Sequence, residues 1–323
     1  MNSPRPLVHI GYHKTATSWL QRRYFGEPAR RWRLCDRGLV GRTLINRHAL
    51  DFDAGVARDA LHPWRSGSGD AEVPVMSHER LSGYPHSGGY DSKELAERIA
   101  DVLPDARILL VIREQRDILY SSYRQYVVDG GGCRLESYLN PTAMGNSRVP
   151  AFTPSYFEYD RLIRTYRRLF DAKDLLVLPF ETFVTQPREW LEEVDRFAGL
   201  APGVHPDPVD ESQENRGRSA TGIALLRLGN RLALRNDLNP SPLVESASLG
   251  GLGRRLATAA DRRLPRRLGK GMERRQRATI AAYATSRFGD SNRRTRTLTG
   301  LDLAELGYDL SPSPNLGPGN PAS

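Results

Sequence analysis

Short apolar runs recur along the chain, and most are followed by residues with helical spacing. Leu7 to Gly11 (LVHIG) is the first: it ends at glycine, and helical periodicity begins at Thr17 and continues to Tyr24. That order predicts strand, tight turn and helix. Val73 to Met76 is a second run, ending in the polar turn Ser77-His78-Glu79. The strongest is Arg107 to Ile112 (RILLVI), with the continuous apolar core required of a parallel strand covered on both faces. Helical spacing follows it from Asp117 to Val128. Glu158 to Phe170 predicts an amphipathic helix with Leu162, Tyr166 and Leu169 on one face. Leu175 to Phe180 reads as another buried strand, and Arg188 to Phe197 as a helix stopped by Gly199.

The alternation of strand and helix predicts a parallel α/β sheet with right-handed crossovers. We expect a single three-layer α/β domain over residues 1–310, its central parallel sheet flanked by helices. Trp64 to Asp70, Gly130 to Pro154 and Ala201 to Asp210 are rich in Gly, Pro and Ser and read as loops. Ser311 to Ser323 (SPSPNLGPGNPAS) has nothing to bury and reads as a disordered tail. No repeat of fixed period is apparent.

Composition narrows this picture only a little. The 323 residues carry 39% hydrophobic and 26% charged side chains, ordinary for a globular protein. A net charge of +9 and a pI near 9.7 favour anionic partners without choosing among them. Arginine doublets at 254–255, 262–263, 266–267 and 274–275 mark the segment 250–277. Cys35 and Cys133 are far apart and have no His or Cys company, which speaks against a disulfide framework or zinc site and for a reducing cytoplasm. No run approaches the roughly 18 apolar residues of a membrane helix, residues 1–6 lack the core of a signal peptide, and Asn2 stands where myristoylation needs glycine.

Candidate chemistry begins in the first turn. IGYHKTATSW places Lys14 among Thr15, Thr17 and Ser18, between a buried strand and a helix. The unpaired amides and dipole of a helix N-terminus make such a turn an anion site. Lys14 adds a point charge and the hydroxyls add donors, a cradle suited to phosphate or sulfate oxygens. The bland alternative is a helix cap at Thr17 or Ser18 with Lys14 in solvent. A nucleoside-triphosphate P-loop needs G-x-x-x-x-G-K-[ST], whereas Gly11 lies only three residues before Lys14 and no glycine directly precedes the lysine. The loop is too short to wrap a triphosphate.

GYHKTATSWLQ resembles the 5′-phosphosulfate loop, P-K-[ST]-G-T-[TS]-W-L, of sulfotransferases that use 3′-phosphoadenosine 5′-phosphosulfate (PAPS). Lys14 falls on the loop lysine, Thr15, Thr17 and Ser18 on its hydroxyl positions, and Trp19 on its aromatic; His13 replaces the usual proline and Ala16 the usual glycine. The family holds the 3′-phosphate with R-x(7)-S after a strand, and ILLVIREQRDILYSSYRQY offers Arg113 and Ser121 there, with Ser122 as the adjacent alternative. A guanidinium at a strand's end and a hydroxyl on the next helix can grip one phosphate from two sides. Ser155 to Leu200 resembles the family's later helix, strand and final helix, and Ser291 to Tyr308 a C-terminal segment of bacterial members. The resemblance implies a bacterial PAPS-dependent sulfotransferase of P-loop-like fold that releases 3′-phosphoadenosine 5′-phosphate (PAP) without a metal.

The acceptor hydroxyl of such a reaction needs a base within reach. VMSHERLSGYP offers Glu79, which the resemblance favours, and His78; a surface pairing of Glu79 with Arg80 is the bland reading. His86 and the remaining histidines read as ordinary surface residues. SQENRGRSATG places Arg216 and Arg218 in a loop that could close on the nucleotide, although it lacks the R-K-G motif of cytosolic animal members. Tyr156 and Tyr159 are candidates for stacking on adenine. The partner expected is a hydroxyl-bearing sugar, lipid or secondary metabolite. Two alternatives remain open: a P-loop-like kinase using ATP, and a nucleic-acid-binding protein built on the arginine doublets, although residues 250–277 interleave no aromatics with the arginines.

Overall fold

All strand pairings in the sheet are parallel. The computed structural model describes residues 4–26, 32–67, 72–141, 151–201, 203, 205, 218–233, 235–240, 242–244, 246–263 and 265–312. Strands β1 (Leu7–His9), β2 (Trp32–Leu34), β3 (Val73–Ser77), β4 (Arg107–Ile112) and β5 (Leu175–Pro179) pair in the order β2-β3-β1-β4-β5. Central β1 is held from both sides, Leu7 opposite Val75 on one neighbour and Arg107 on the other.

The helices are α1 (Thr17–Trp19), α2 (Arg37–Val40), α3 (Ala54–Arg65), α4 (Ser92–Val102), α5 (Gln115–Val128), α6 (Leu135–Leu139), α7 (Tyr159–Leu169), α8 (Phe180–Thr185) and α9 (Pro187–Ala198), then α10 (Ala220–Ala233), α11 (Ala247–Arg263), α12 (Lys270–Ala284) and α13 (Gly289–Thr299). Helix α1 continues into a wider turn over Leu20–Tyr24, so the periodicity from Thr17 is realised as one helical segment.

Side chains of a strand alternate between faces, and here they divide the core in two. Val8, Ile10, Ile108, Leu110 and Ile112 join the larger cluster with α3, α4, α5 and α7, while Leu7, Leu109, Val111 and Leu178 join Trp19, Phe183, Trp190 and Leu191 on the other side. Both faces of the sheet are covered, as the unbroken apolar runs require. The result is the expected three-layer α/β architecture with a central parallel sheet.

The differences have local causes. β2 went unread because three residues beside arginines carry no period. The loop expected from Trp64 begins later: Trp64 and Arg65 close α3, and the Trp64 indole donates to the Arg33 carbonyl while Arg33 donates back to that of Trp64, tying α3 to β2. The stretch Gly130 to Pro154 contains α6. Residues 142–150 of that stretch, most of Ala201 to Asp210, Arg216, and residues 313–323 of the expected tail lie outside the described residues.

The C-terminal segment is tied into the core by buried polar contacts. Asp160 on α7 is almost fully buried; it accepts from Ser291 at 2.5 Å and from Arg294 at 2.6 Å, with Arg164 at 3.1 Å. Buried Asn292 exchanges hydrogen bonds with Gln115 at the start of α5 and donates to the Asp309 carbonyl. Removing one partner of such a set leaves the others buried without compensation. Asp160→Ala is therefore expected to lower stability by about 2–3 kcal/mol, read as a fall in the urea midpoint at unchanged slope.

Candidate functional site

Ligands of open parallel sheets collect beyond the carboxyl ends of the strands, where the strand order reverses. Here the turn after β1, the turn after β3 and the start of α5 after β4 share that edge. Gly11 opens the first turn because nothing larger fits: a Cβ there would lie 2.5 Å from the His9 ring nitrogen. Lys14 and Ala16 both adopt left-handed backbone, at φ 68° and 62°. Glycine is the residue that takes such a φ without cost, which accounts for the Gly-to-Ala departure noted at position 16 being a strained one.

The turn does not use all its hydroxyls alike. Thr15 is buried and donates to the Tyr12 carbonyl at 2.5 Å, holding the turn closed. The Thr17 hydroxyl is buried with no partner, and Ser18 is exposed at the helix start. An unpartnered buried hydroxyl beside a lysine in a helix-entry turn fits an acidic oxygen. Trp19, expected at the ligand, is a core residue packed edge-on to Phe183 at 5.2 Å between centroids. It anchors the helix behind the turn.

Lys14 Nζ donates to Gln125 Oε1 at 2.6 Å, and Gln125 Nε2 donates to Asp129 at 2.7 Å. Loss of hydration in the cleft is the largest cause lowering the Lys14 pKa, and the Arg124 and Arg113 charges push the same way. Arg113 stands at the exit of β4, donates from Nη1 to the Lys14 carbonyl at 3.0 Å, lies 3.7 Å from Asp117 and covers the Phe180 ring at 4.7 Å. The two segments identified from sequence therefore touch.

Helix α5 faces this junction. Asp117, Ser121 and Gln125 recur at four-residue spacing and so share a face, with Asp117 beside Arg113 and Gln125 bonded to Lys14. Ser121, half-buried, lies between them on that face. Ser122 points the other way into the fold, fully buried and with its hydroxyl unpartnered. Position 121 is the better placed of the two.

The turn after β3 supplies a carboxylate with an unforeseen partner. Arg37 on α2 grips both oxygens of Glu79, at 2.8 and 2.9 Å, and also donates to Gln21 at 2.9 Å. Burial, the largest single influence, would raise the Glu79 pKa; the bonds from Arg37, a backbone hydrogen bond and the nearby positive charges together outweigh it and bring the group down to about 2. The surface pairing anticipated with Arg80 is not formed, since Arg80 bonds Asp91 at 2.8 Å. His78 lies 3.8 Å from Glu79 and accepts from the Arg80 amide, and burial lowers its pKa to about 4.

Several expectations need correction. His86 is buried between Tyr138, 3.1 Å away, and Asp129 at 3.6 Å, and His9 is fully buried against Ser77, so neither is a surface residue. Tyr156 and Tyr159 are interior rings packed on Tyr12, with Tyr156 bonded to Ser82 and Tyr159 to the Arg113 carbonyl, so neither face is free for adenine. Arg218 is paired with Asp261 at 3.1 Å, and its carbonyl accepts from Arg124.

Sequence reasoning missed Arg37, Gln125 and Arg277. Gln125 was accessible as the next step of the 117, 121 periodicity. Arg277, from the arginine-rich segment, bonds Asp117 at 2.9 Å and covers Tyr120 at 4.3 Å, a long-range contact with no local signal. Among the described residues, no three His, Cys, Asp or Glu side chains converge on a possible metal site.

A family model described as "Sulfotransferase family" matches residues 91–203, so the chain is similar to that family from before β4 through α9. No curated protein matches the chain in sequence. Solved structures that match include a sulfotransferase from Alicyclobacillus acidocaldarius, 19% identical over 70% of this chain and 95% of that one, with TM-score 0.44. Another is the sulfotransferase domain of the Synechococcus PCC 7002 olefin synthase, 13% identical over 82% of this chain and 98% of that one, with TM-score 0.36.

Ala16→Gly relieves a left-handed alanine and should raise stability by about 1 kcal/mol, seen as a higher melting temperature; an unchanged or lower value contradicts the strain. His9, His13 and His78 have folded pKa values of about 4, 3 and 4, each lowered by burial from an ordinary 6.5. Stability from these rings is complete above pH 6.5 and is lost as pH falls toward 4, because the unfolded chain binds protons that the fold refuses. Calorimetry near pH 5 should register uptake of about three protons on unfolding from this source.

Proposed function

We propose that this sulfotransferase-like chain moves the sulfuryl group of PAPS to a hydroxyl of a sugar, lipid or secondary-metabolite acceptor, in the cytoplasm, a reducing compartment that suits its two free thiols. The observation that carries the reading is the hydrogen bond from Arg113 to the Lys14 carbonyl, which joins a turn suited to the 5′-phosphosulfate to a guanidinium suited to the 3′-phosphate. A donor that is acidic at two ends of one nucleoside matches two linked cationic cradles.

In this reading Lys14, the Thr17 hydroxyl, the Ser18 hydroxyl and the helix amides hold the phosphosulfate, with His13, Thr15 and Ala16 shaping the turn. Arg113 and Ser121 hold the 3′-phosphate. The acceptor oxygen bonds to sulfur as the bond from sulfur to the 5′-phosphate oxygen breaks. Lys14 neutralises the charge that gathers on that leaving oxygen. The acceptor's proton goes to Glu79, or to neutral His78 beside it.

Lys14→Ala should lower kcat/KM by about 10²- to 10³-fold while leaving the melting temperature close to that of the parent. Arg113→Lys should weaken binding of PAP far more than that of adenosine 5′-phosphosulfate, which has no 3′-phosphate, by calorimetric titration. Near-parental turnover by the lysine variant would rule out the mechanism. Equal losses for the two nucleotides would remove Arg113 from the 3′ end.

A further inference from the structure

The chain's net charge is concentrated in one stretch. Residues 250–277 contain nine arginines and Lys270 against Asp261 and Glu273, so this stretch holds eight of the nine net positive charges. It forms α11, the turn Arg266–Gly269 and the start of α12. Helix α11 runs back along α10 at close range: a Cβ on Gly229 would lie 3.0 Å from the Gly253 backbone, and one on Gly222 would meet the Asp261 carboxylate. The hairpin's inner side is buried through Ile223, Leu226, Asn230 and Ala257.

Its outer side is both basic and greasy. Of the thirteen large apolar side chains exposed among the described residues, eight lie between positions 228 and 272. Leu252 and Leu256 on α11 are 51% and 53% exposed, Leu228 on α10 is 50%, and Leu243 and Leu268 are 66% and 63%. Spacings of three, four and eleven residues put Leu252, Arg255, Leu256 and Arg263 on one side of α11. Arg254, Arg255, Arg262 and Arg263 are exposed and form no ion pair with another described residue.

We propose that this face docks on the surface of an anionic lipid bilayer. Scattered exposed leucines need no explanation. A cluster of them interleaved with exposed guanidinium groups fits a surface that offers acyl chains and phosphates together: the leucines enter the headgroup boundary while the arginines stay with the phosphates. Nucleic acid offers the charge but nothing for the leucines, and the stretch has no aromatic ring to stack on bases. A second copy would bring two like-charged faces together. The hairpin is fixed to the cleft, since Asn230 Nδ2 donates to the Val127 carbonyl at 2.7 Å at the end of α5, so docking would hold the candidate site beside the bilayer.

The test uses the full chain and sedimentation with vesicles of phosphatidylcholine alone or mixed with phosphatidylglycerol. Binding is expected to the mixed vesicles only and to weaken as salt rises. The double variant Leu252→Gln/Leu256→Gln keeps every charge, and should lower the partition coefficient about tenfold with an unchanged melt. Arg255→Gln/Arg263→Gln should also lower it by about tenfold or more. Absence of binding to mixed vesicles overturns the proposal, whether a concentration-dependent dimer in ultracentrifugation or salt-sensitive duplex DNA binding is found instead. Parental binding by the leucine variant overturns it too, because plain charge adsorption would then suffice. None of these readouts depends on the sulfuryl-transfer reading, so the two can fail separately.

Discussion

The in-register parallel pairing of β1 with β4 is the constraint on which the site depends. His9 lies opposite Leu109, so the chain leaves both strands at the same edge of the sheet. The turn Gly11 to Ala16 and the start of α5 then have to lie side by side. Arg113 closes the arrangement by donating to the Lys14 carbonyl across a separation of 99 positions. The backbone of the turn is thereby fixed by a charged side chain from the neighbouring strand. Two left-handed residues in a row of six are tolerable in a turn held from several sides: by the Thr15 bond within it, by Arg113 beside it, and by Trp19 buried behind it.

The electrostatics of the cleft follow a consistent pattern. The two cations at the junction have partners that leave much of their charge uncompensated. Lys14 rests on the neutral Gln125, which spares its charge, and Arg113 has Asp117 only at 3.7 Å. Glu79 is held by Arg37 in a two-point grip that fixes its orientation and keeps it ionised. The histidines nearby are kept neutral by burial. Positive potential in the cleft therefore comes from a few placed groups, whereas the chain's net charge lies mainly on the helices beyond it. The same overall basicity thus contains two arrangements with different physical reach: a short-range one in a partly desolvated cleft and a salt-screened one on an open face.

Strong periodicity made most of the fold legible. Four of the five strands and the helices after β1, β4 and β5 could be read because buried strands are apolar without interruption and their helices carry one apolar stripe. β2 could not, since an edge strand of three residues is defined by its pairing with β3 and by the Trp64 and Arg33 exchange, both non-local. The site divides the same way. Lys14 and Arg113 could be picked out as candidates because each stands where a strand end meets a helix, a local pattern, and because the residues around them resemble a family motif. Arg37 was not, because its meeting with Glu79 spans 42 positions and no motif joins them. Tyr156 and Tyr159 misled for a related reason: aromatic identity does not tell a stacking face from a core ring until the packing around Tyr12 is seen.

A carboxylate with a pKa of about 2 is a weak base, and the proposed reaction must be compatible with that. If the transition state is loose, as in the related phosphoryl transfers, bond breaking to the leaving oxygen runs ahead of bond making from the acceptor. The acceptor hydroxyl then gains acidity only late, once its oxygen has begun to bond to sulfur, and at that stage a weak base in the right place accepts its proton readily. Placement outweighs strength. The grip of Arg37 provides placement at the expense of basicity, and it favours the ionised carboxylate. Most of the barrier would then be carried at the other end of the reacting line, where Lys14 meets the charge developing on the leaving phosphate.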